Sequence, residues 1–205
     1  MSEEPARLYL ATPPLAEARD FLPALTAALS AGEVASLLIR LAGDDPRKNE
    51  DIVRALAPIA QESGVAVLVD GSVTVAMRAR ADGAHISGAG EELVEAAKKL
   101  SPKYIVGAGD LPMRDDAMRA GEIGVDYVLF DDEDPRLLVE RVDWWAELFR
   151  TPCVARARTL SEVAPLARAG ADFVMLDDAV WTDARGPAAA VAEALAILEQ
   201  EGSQP

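Results

Sequence analysis

Short apolar runs alternate with longer amphipathic segments from one end of the chain to the other. The runs are Arg7–Ala11, Val34–Arg40, Val65–Asp70, Gly83–Ser87, Tyr104–Gly107, Val125–Phe130, Cys153–Ala155 and Ala171–Leu176. Runs this short, rich in Val, Tyr and Phe and bounded by Gly and Asp, predict strands buried on both faces. The alanine- and leucine-rich segments between them predict helices. One run recurs: Gly124-Val125-Asp126-Tyr127-Val128-Leu129-Phe130-Asp131-Asp132 returns 46 positions later as Gly170-Ala171-Asp172-Phe173-Val174-Met175-Leu176-Asp177-Asp178. That interval is about two strand-plus-helix units. Each copy ends in paired carboxylates where its strand leaves the core.

Helix starts are marked as well. Thr12-Pro13, Asp45-Pro46 and Asp134-Pro135 each set a capping residue before a proline at the first helical position. Thr159-Leu160-Ser161-Glu162 reads as a capping box, and Gly64, Gly124 and Gly170 stand where helices should stop. Eight alternating units without a break in composition predict one α/β domain over residues 1–205, a closed (β/α)8 TIM barrel. A doubly wound open sheet is the alternative, but no Gly-rich nucleotide loop follows the first strand. At 205 residues the barrel is compact, so its loops are expected to be short, and Glu201–Pro205 to be a frayed tail.

Charge narrows the function. The net charge of -15 argues against sequence-independent nucleic-acid binding and against an anionic membrane surface. A single cysteine, Cys153, permits no internal disulfide and reads as a small core residue. No run approaches the roughly 20 apolar residues of a membrane span, and Met1–Pro5 lacks the features of a signal peptide, so the expected location is cytoplasmic.

A barrel of this kind gathers function at the C-terminal ends of its strands. Those ends read Thr12, Arg40, Asp70, Ser87, Gly107 with Gly109 and Asp110, Asp131 with Asp132, Arg156 with Arg158, and Asp177 with Asp178. Arginines have forked donors suited to phosphate, and helix N-termini add free N–H groups at the same mouth. Arg40, Gly107, Arg156 and Arg158 are therefore the phosphate or ligand candidates, with surface ion pairs as the alternative for the arginines. Asp70, Asp131 and Asp177 are candidate ligands for magnesium, a hard cation that prefers carboxylates and water. Helix capping or solvation is their alternative. Adjacent strand residues point to opposite faces, so at most one aspartate of each pair enters the mouth. His85, the only histidine, is the one candidate acid-base group, against a hydrogen-bonded structural role.

The segment Leu68-Val69-Asp70-Gly71-Ser72-Val73-Thr74-Val75-Ala76, with Ala81-Asp82-Gly83-Ala84-His85-Ile86-Ser87, resembles the thiamine-phosphate synthases. The passage from Glu162 to Asp172 is similar to that family's last helix-to-strand junction. The resemblance implies a barrel that joins an aminopyrimidine diphosphate to a thiazole phosphate, with magnesium and loss of pyrophosphate. Several family positions differ here. Of the Gln-x-Arg-x-Lys motif only Arg40 remains, and of Asn-Asp only Asp70. A second metal-binding aspartate falls near Gly90, and the serine after the fifth strand becomes Gly109. The loop after the sixth strand, with its Thr and Lys, becomes Asp131-Asp132-Glu133-Asp134-Pro135. The Gly-Gly phosphate turn becomes Arg156-Ala157-Arg158.

Three functions follow as expectations. The first is a barrel binding a phosphorylated or thiamine-related small molecule, with the parent chemistry weak or lost. The second is an enzyme of altered specificity, a transferase or a tautomerase using His85 or a mouth carboxylate. The third is a non-catalytic scaffold. Trp144-Trp145, neighbours on a helix, cannot share one face, so one should pack inward while the other marks a homodimer contact or an exposed rim of the core.

Overall fold

Each apolar run forms a strand, and the strands pair in chain order, all parallel, into a closed barrel. The computed structural model describes residues 5–203. The strands are β1 (Arg7–Ala11), β2 (Ser36–Ile39), β3 (Ala66–Asp70), β4 (Gly83–Ser87), β5 (Ile105–Gly109), β6 (Tyr127–Phe130), β7 (Cys153–Ala157) and β8 (Phe173–Leu176). Around them run α1 (Leu22–Leu29), α2 (Pro46–Glu62), α3 (Val73–Ala79), α4 (Glu91–Leu100), α5 (Arg114–Ile123), α6 (Pro135–Leu148), α7 (Val163–Arg168), α8 (Asp178–Trp181) and α9 (Pro187–Gly202). Among the described residues no helix is long and apolar enough to cross a membrane.

The runs are continuous because both strand faces are buried. In β2, Leu37 and Ile39 pack outward against helices, while Leu38 lines the lumen with Tyr9, Leu68, Tyr127, Leu129, Val154 and Met175. Cys153 sits in the outer layer, fully buried, its thiol pushed up to about 12 chiefly by that burial.

The recurring Gly-x-Asp sequence is a clamp at the N-terminal rim. Asp126 donates its backbone N–H to the Val106 carbonyl, and its Oδ2 accepts from the Val106 N–H at 2.8 Å. Asp172 does the same with Cys153, and Asp82 with Val67. Each aspartate thus fixes its strand against the preceding one before pairing begins.

Helix signals met different fates. Asp45 and Asp134 cap α2 and α6 as expected, and Gly64, Gly124 and Gly170 hold positive φ at helix ends. Thr12-Pro13 starts no helix. Residues 12–21 form a long connection, and buried Thr12 instead accepts the Arg40 backbone N–H on Oγ1 at 3.0 Å. The loops are therefore not uniformly short. The expected capping box at Thr159 does not form either, because Glu162 reaches the Arg158 N–H at 2.7 Å instead. The strand after Tyr104 runs on to Gly109, and the one after Thr151 runs on to Ala157. Nor does the chain fray at Glu201: α9 continues to Gly202, and the Glu201 carboxylate holds Arg168 through two contacts of 2.6 Å. Gln204–Pro205, and residues 1–4 of the expected leaderless start, lie outside the described residues.

Candidate functional site

The lumen changes character over one step of the strand period. Leu38, Leu68, Leu129, Val154 and Met175 face inward, and two residues beyond each stands Arg40, Asp70, Asp131, Arg156 or Asp177. Side chains two apart on a strand share a face. The apolar lumen is therefore roofed at its C-terminal end by a layer of charged side chains, drawn from five strands.

Most of these charges pair with one another. Arg156 bridges two strand ends, its Nη1 donating to Asp131 Oδ2 at 2.8 Å and its Nη2 to Asp177 Oδ2 at 2.6 Å. Arg40 Nη2 also reaches Asp177 Oδ2, at 3.3 Å, and its Nε donates to the Thr12 carbonyl. Arg158 Nη1 lies 2.7 Å from Asp131 Oδ1 and donates to the Asp132 carbonyl. Its contact with Oδ1 is an ion contact without hydrogen-bond geometry, since that oxygen has no hydrogen-bond donor. Arg40, Asp177, Arg156, Asp131 and Arg158 form one continuous chain across the mouth. Asp177 is 2 % exposed, and the guanidinium groups of Arg156 and Arg40 are its partners there. The Arg156 Nε–H is buried without a partner.

The second members of the aspartate pairs stay out of this chain of ion pairs. Asp132 Oδ1 accepts the Asp134 N–H, and Asp178 opens α8, exposed. Asp70 is half-buried, and burial raises its carboxyl pKa against the opposing pull of Arg40. It caps nothing, because Ser72 caps α3. Among the described residues no three His, Cys, Asp or Glu side chains are grouped to hold a metal. Magnesium commonly binds through one or two carboxylates, with waters and substrate phosphates. Asp70 fits that limited role, whereas Asp131 and Asp177 are engaged by Arg156.

Gly107 lies one strand period below the mouth, because β5 extends beyond it. A Cβ there would stand 2.0 Å from Tyr127 Cζ. Its missing side chain makes room for the Tyr127 ring, which reaches across β5 to stack on His85 at 5.6 Å. The Tyr127 hydroxyl meets His85 Nδ1 at 2.9 Å and the Tyr9 hydroxyl at 3.0 Å. Gly109 leaves room in turn for the imidazole, since a Cβ there would lie 2.4 Å from Nε2. His85 is 6 % exposed. Burial lowers its pKa to about 4 and raises those of both tyrosines.

A cavity of about 490 Å³ opens beside the ion-pair chain, walled by Asp110, Asp131, Asp132, Glu133, Arg141 and Arg158. Sequence reading missed Arg141. It projects from α6, outside any list of strand ends, yet donates to the Leu111 carbonyl, lies 3.8 Å from Asp132 and covers the Phe130 ring. In the sequence Tyr9 and Tyr127 stand out only as members of apolar runs. Trp145 packs inward and donates to the Thr151 carbonyl at 2.7 Å, while half-buried Trp144 carries the Arg114 guanidinium 4.6 Å from its ring centre.

A family model described as thiamine monophosphate synthase matches residues 8–180. A thiamine-phosphate synthase of Hyphomonas neptunium is 37% identical over 94% of both chains. One from Rhodospirillum centenum is 39% identical over 91% of this chain and 95% of its own. Among solved structures, a thiamine phosphate pyrophosphorylase from Pyrococcus furiosus superposes with a TM-score of 0.83 at 22% identity, covering 97% of this chain and 98% of the other. At that identity the last match speaks for the fold alone.

Proposed function

The chain belongs to the thiamine monophosphate synthase family, and from that premise we propose that its mouth binds a phosphorylated or thiamine-related small molecule, with the parent condensation weak or lost. The observation that carries this reading is the ion-pair chain from Arg40 to Arg158. A phosphate entering the mouth competes with Asp131 and Asp177 for Arg156. Guanidinium groups already paired supply less of the preorganised positive charge that a departing pyrophosphate requires. The motif positions occupied by Gly90, Gly109 and the Asp131–Pro135 loop point the same way, since none brings a cation.

In this reading Arg40, Arg156 and Arg158 hold the anion, and the unpartnered Arg156 Nε–H offers one further donor. Asp70 would hold magnesium together with the ligand's phosphates, and the ion would neutralise pyrophosphate charge. A second reading is an active enzyme of altered specificity, a transferase or a tautomerase, and only its transferase form draws on the likeness to synthases over more than nine-tenths of both chains.

Two measurements test the proposal. A melting screen over the aminopyrimidine and thiazole phosphates, with and without magnesium, should show stabilisation by at least one of them. At a hundredfold excess over Kd this amounts to about 2.7 kcal/mol. No shift with any of them would sink the ligand-binding reading. Calorimetric titration of pyrophosphate should detect binding that Arg40→Ala with Arg156→Ala abolishes, and unchanged affinity would leave these arginines as internal ion-pair partners only.

A further inference from the structure

We infer that His85 is a ligand-binding residue that presents a neutral Nε2–H donor to the mouth, its tautomer fixed from below by Tyr127 and Tyr9. The inference rests on the reading that the mouth takes the ligand, and it adds a hydrogen-bond acceptor to what that ligand must carry.

Three buried groups form a line, Tyr9 Oη, Tyr127 Oη and His85 Nδ1, with separations of 3.0 and 2.9 Å. Two arrangements of their hydrogens are open. If Nδ1 carries the imidazole proton, it donates to Tyr127, Tyr127 donates to Tyr9, and the Tyr9 hydrogen has no acceptor among the described residues. Tyr9 is 2 % exposed, its hydroxyl makes this one hydrogen bond among the described residues, and the cavity of about 200 Å³ beside it is walled mainly by apolar side chains such as Leu68, Val154 and Phe173, with Ser36 and Asp126 also at its edge. If Nδ1 is bare, Tyr9 donates to Tyr127 and Tyr127 donates to Nδ1, so both hydroxyl hydrogens are used and the one left over is Nε2–H. A buried donor without a partner is costly. The second arrangement is selected because its leftover hydrogen lies on Nε2, against Gly109 at the mouth end of β5, and not on Tyr9 inside the lumen.

Nε2 is the atom turned toward the mouth. It stands against Gly109, the last residue of β5, in space that any side chain there would fill. The imidazole's one hydrogen bond to the described residues is through Nδ1. A ring nine-tenths buried thus holds one polar atom without a partner, beneath the charged layer. Its low pKa, caused by burial, keeps it a neutral donor near neutral pH. Such a donor suits an oxygen or an unprotonated ring nitrogen of a ligand that reaches past Gly109. The role is recognition, without proton transfer.

The chain's single histidine makes the test direct. In long-range proton–nitrogen spectra of 15N-labelled protein at pH 7.5, the one imidazole should appear as the Nε2–H tautomer. Tyr127→Phe should give a mixture. A dominant Nδ1–H form in the unaltered chain would overturn the assignment without any ligand. Added aminopyrimidine diphosphate should then shift the Nε2 and Hε2 signals saturably, and Tyr127→Phe should weaken its binding about fivefold to tenfold. If that compound raises Tm while the imidazole signals stay fixed, the proposed ligand site stands and His85 is excluded from it. If it neither raises Tm nor moves the signals, the contact falls together with the ligand reading.

Discussion

The two ends of one lumen are built on the same inward positions and hold opposite chemistry. The lower part is uncharged: Leu38, Leu68, Leu129, Val154 and Met175 pack around Tyr9 and Tyr127, whose hydroxyls serve each other and His85. One strand period higher, the same strands carry Arg40, Asp70, Asp131, Arg156 and Asp177. Below, glycines make room for rings, Gly107 for Tyr127 and Gly109 for His85. Above, each charge is neutralised by a neighbour, with Asp70 outside the chain of pairs. The lower half is neutral and closely packed, the upper half is charged, and His85 spans the boundary.

Adding bulk to the lower part should have the largest effect. Gly107→Ala places a Cβ inside the Tyr127 ring and should cost about 3 kcal/mol, or a fall in Tm on the order of 10 °C. Adding Tyr127→Leu should recover much of that loss. A variant as stable as the parent would show that the close approach at Gly107 is not what it accommodates.

Acid attacks the same region through His85. The ring's pKa is about 4 in the fold, against an ordinary 6.5. Between those values the unfolded chain binds the extra proton, so stability falls as pH drops through this window, by about 3 kcal/mol from this group. Denaturant midpoints at pH 7 and pH 4 should fall less steeply in His85→Gln. Equal slopes would mean that the buried imidazole protonates without penalty.

The mouth should respond to removal of its central cation. Arg156→Met leaves Asp177 buried against Arg40 alone and should cost about 2 kcal/mol, reduced from the fully buried case by partial exposure of the guanidinium. Adding Asp131→Asn and Asp177→Asn should restore most of it. Failure to recover would make the loss one of packing.

Smallest is Asp70→Asn. Burial raises the Asp70 pKa above its ordinary 3.8, so the fold favours the protonated form, and this group's contribution to stability declines as pH rises through and above that value. The amide removes the decline and should raise Tm at pH 7 by about 2 °C. The gain should vanish below the ordinary pKa, and a lower Tm at pH 7 would show that the carboxylate is stabilising.

Much of this was legible in the sequence. Continuous apolar runs gave the strands, because both faces of a closed parallel sheet are buried. The charged layer could be read from the period of two, apolar at one position and charged two residues on. The site's lower half was hidden because register decides it. His85 and Tyr127 pair with Gly107 from opposite sides, and the contact exists only since Gly107 has no side chain between them. Thr12-Pro13 misled for a related reason: the threonine hydroxyl is taken by the Arg40 backbone before it can cap a helix. Arg141 arrives from a helix, and no strand-end pattern points to it.

The most direct measurement of the central claim is pyrophosphate release by purified protein supplied with the aminopyrimidine diphosphate, the thiazole phosphate and magnesium. A mouth whose arginines are already paired should turn over far below the usual enzyme range of roughly 1 s⁻¹ or more. Turnover within that range would contradict the account and make the charged layer a working active site.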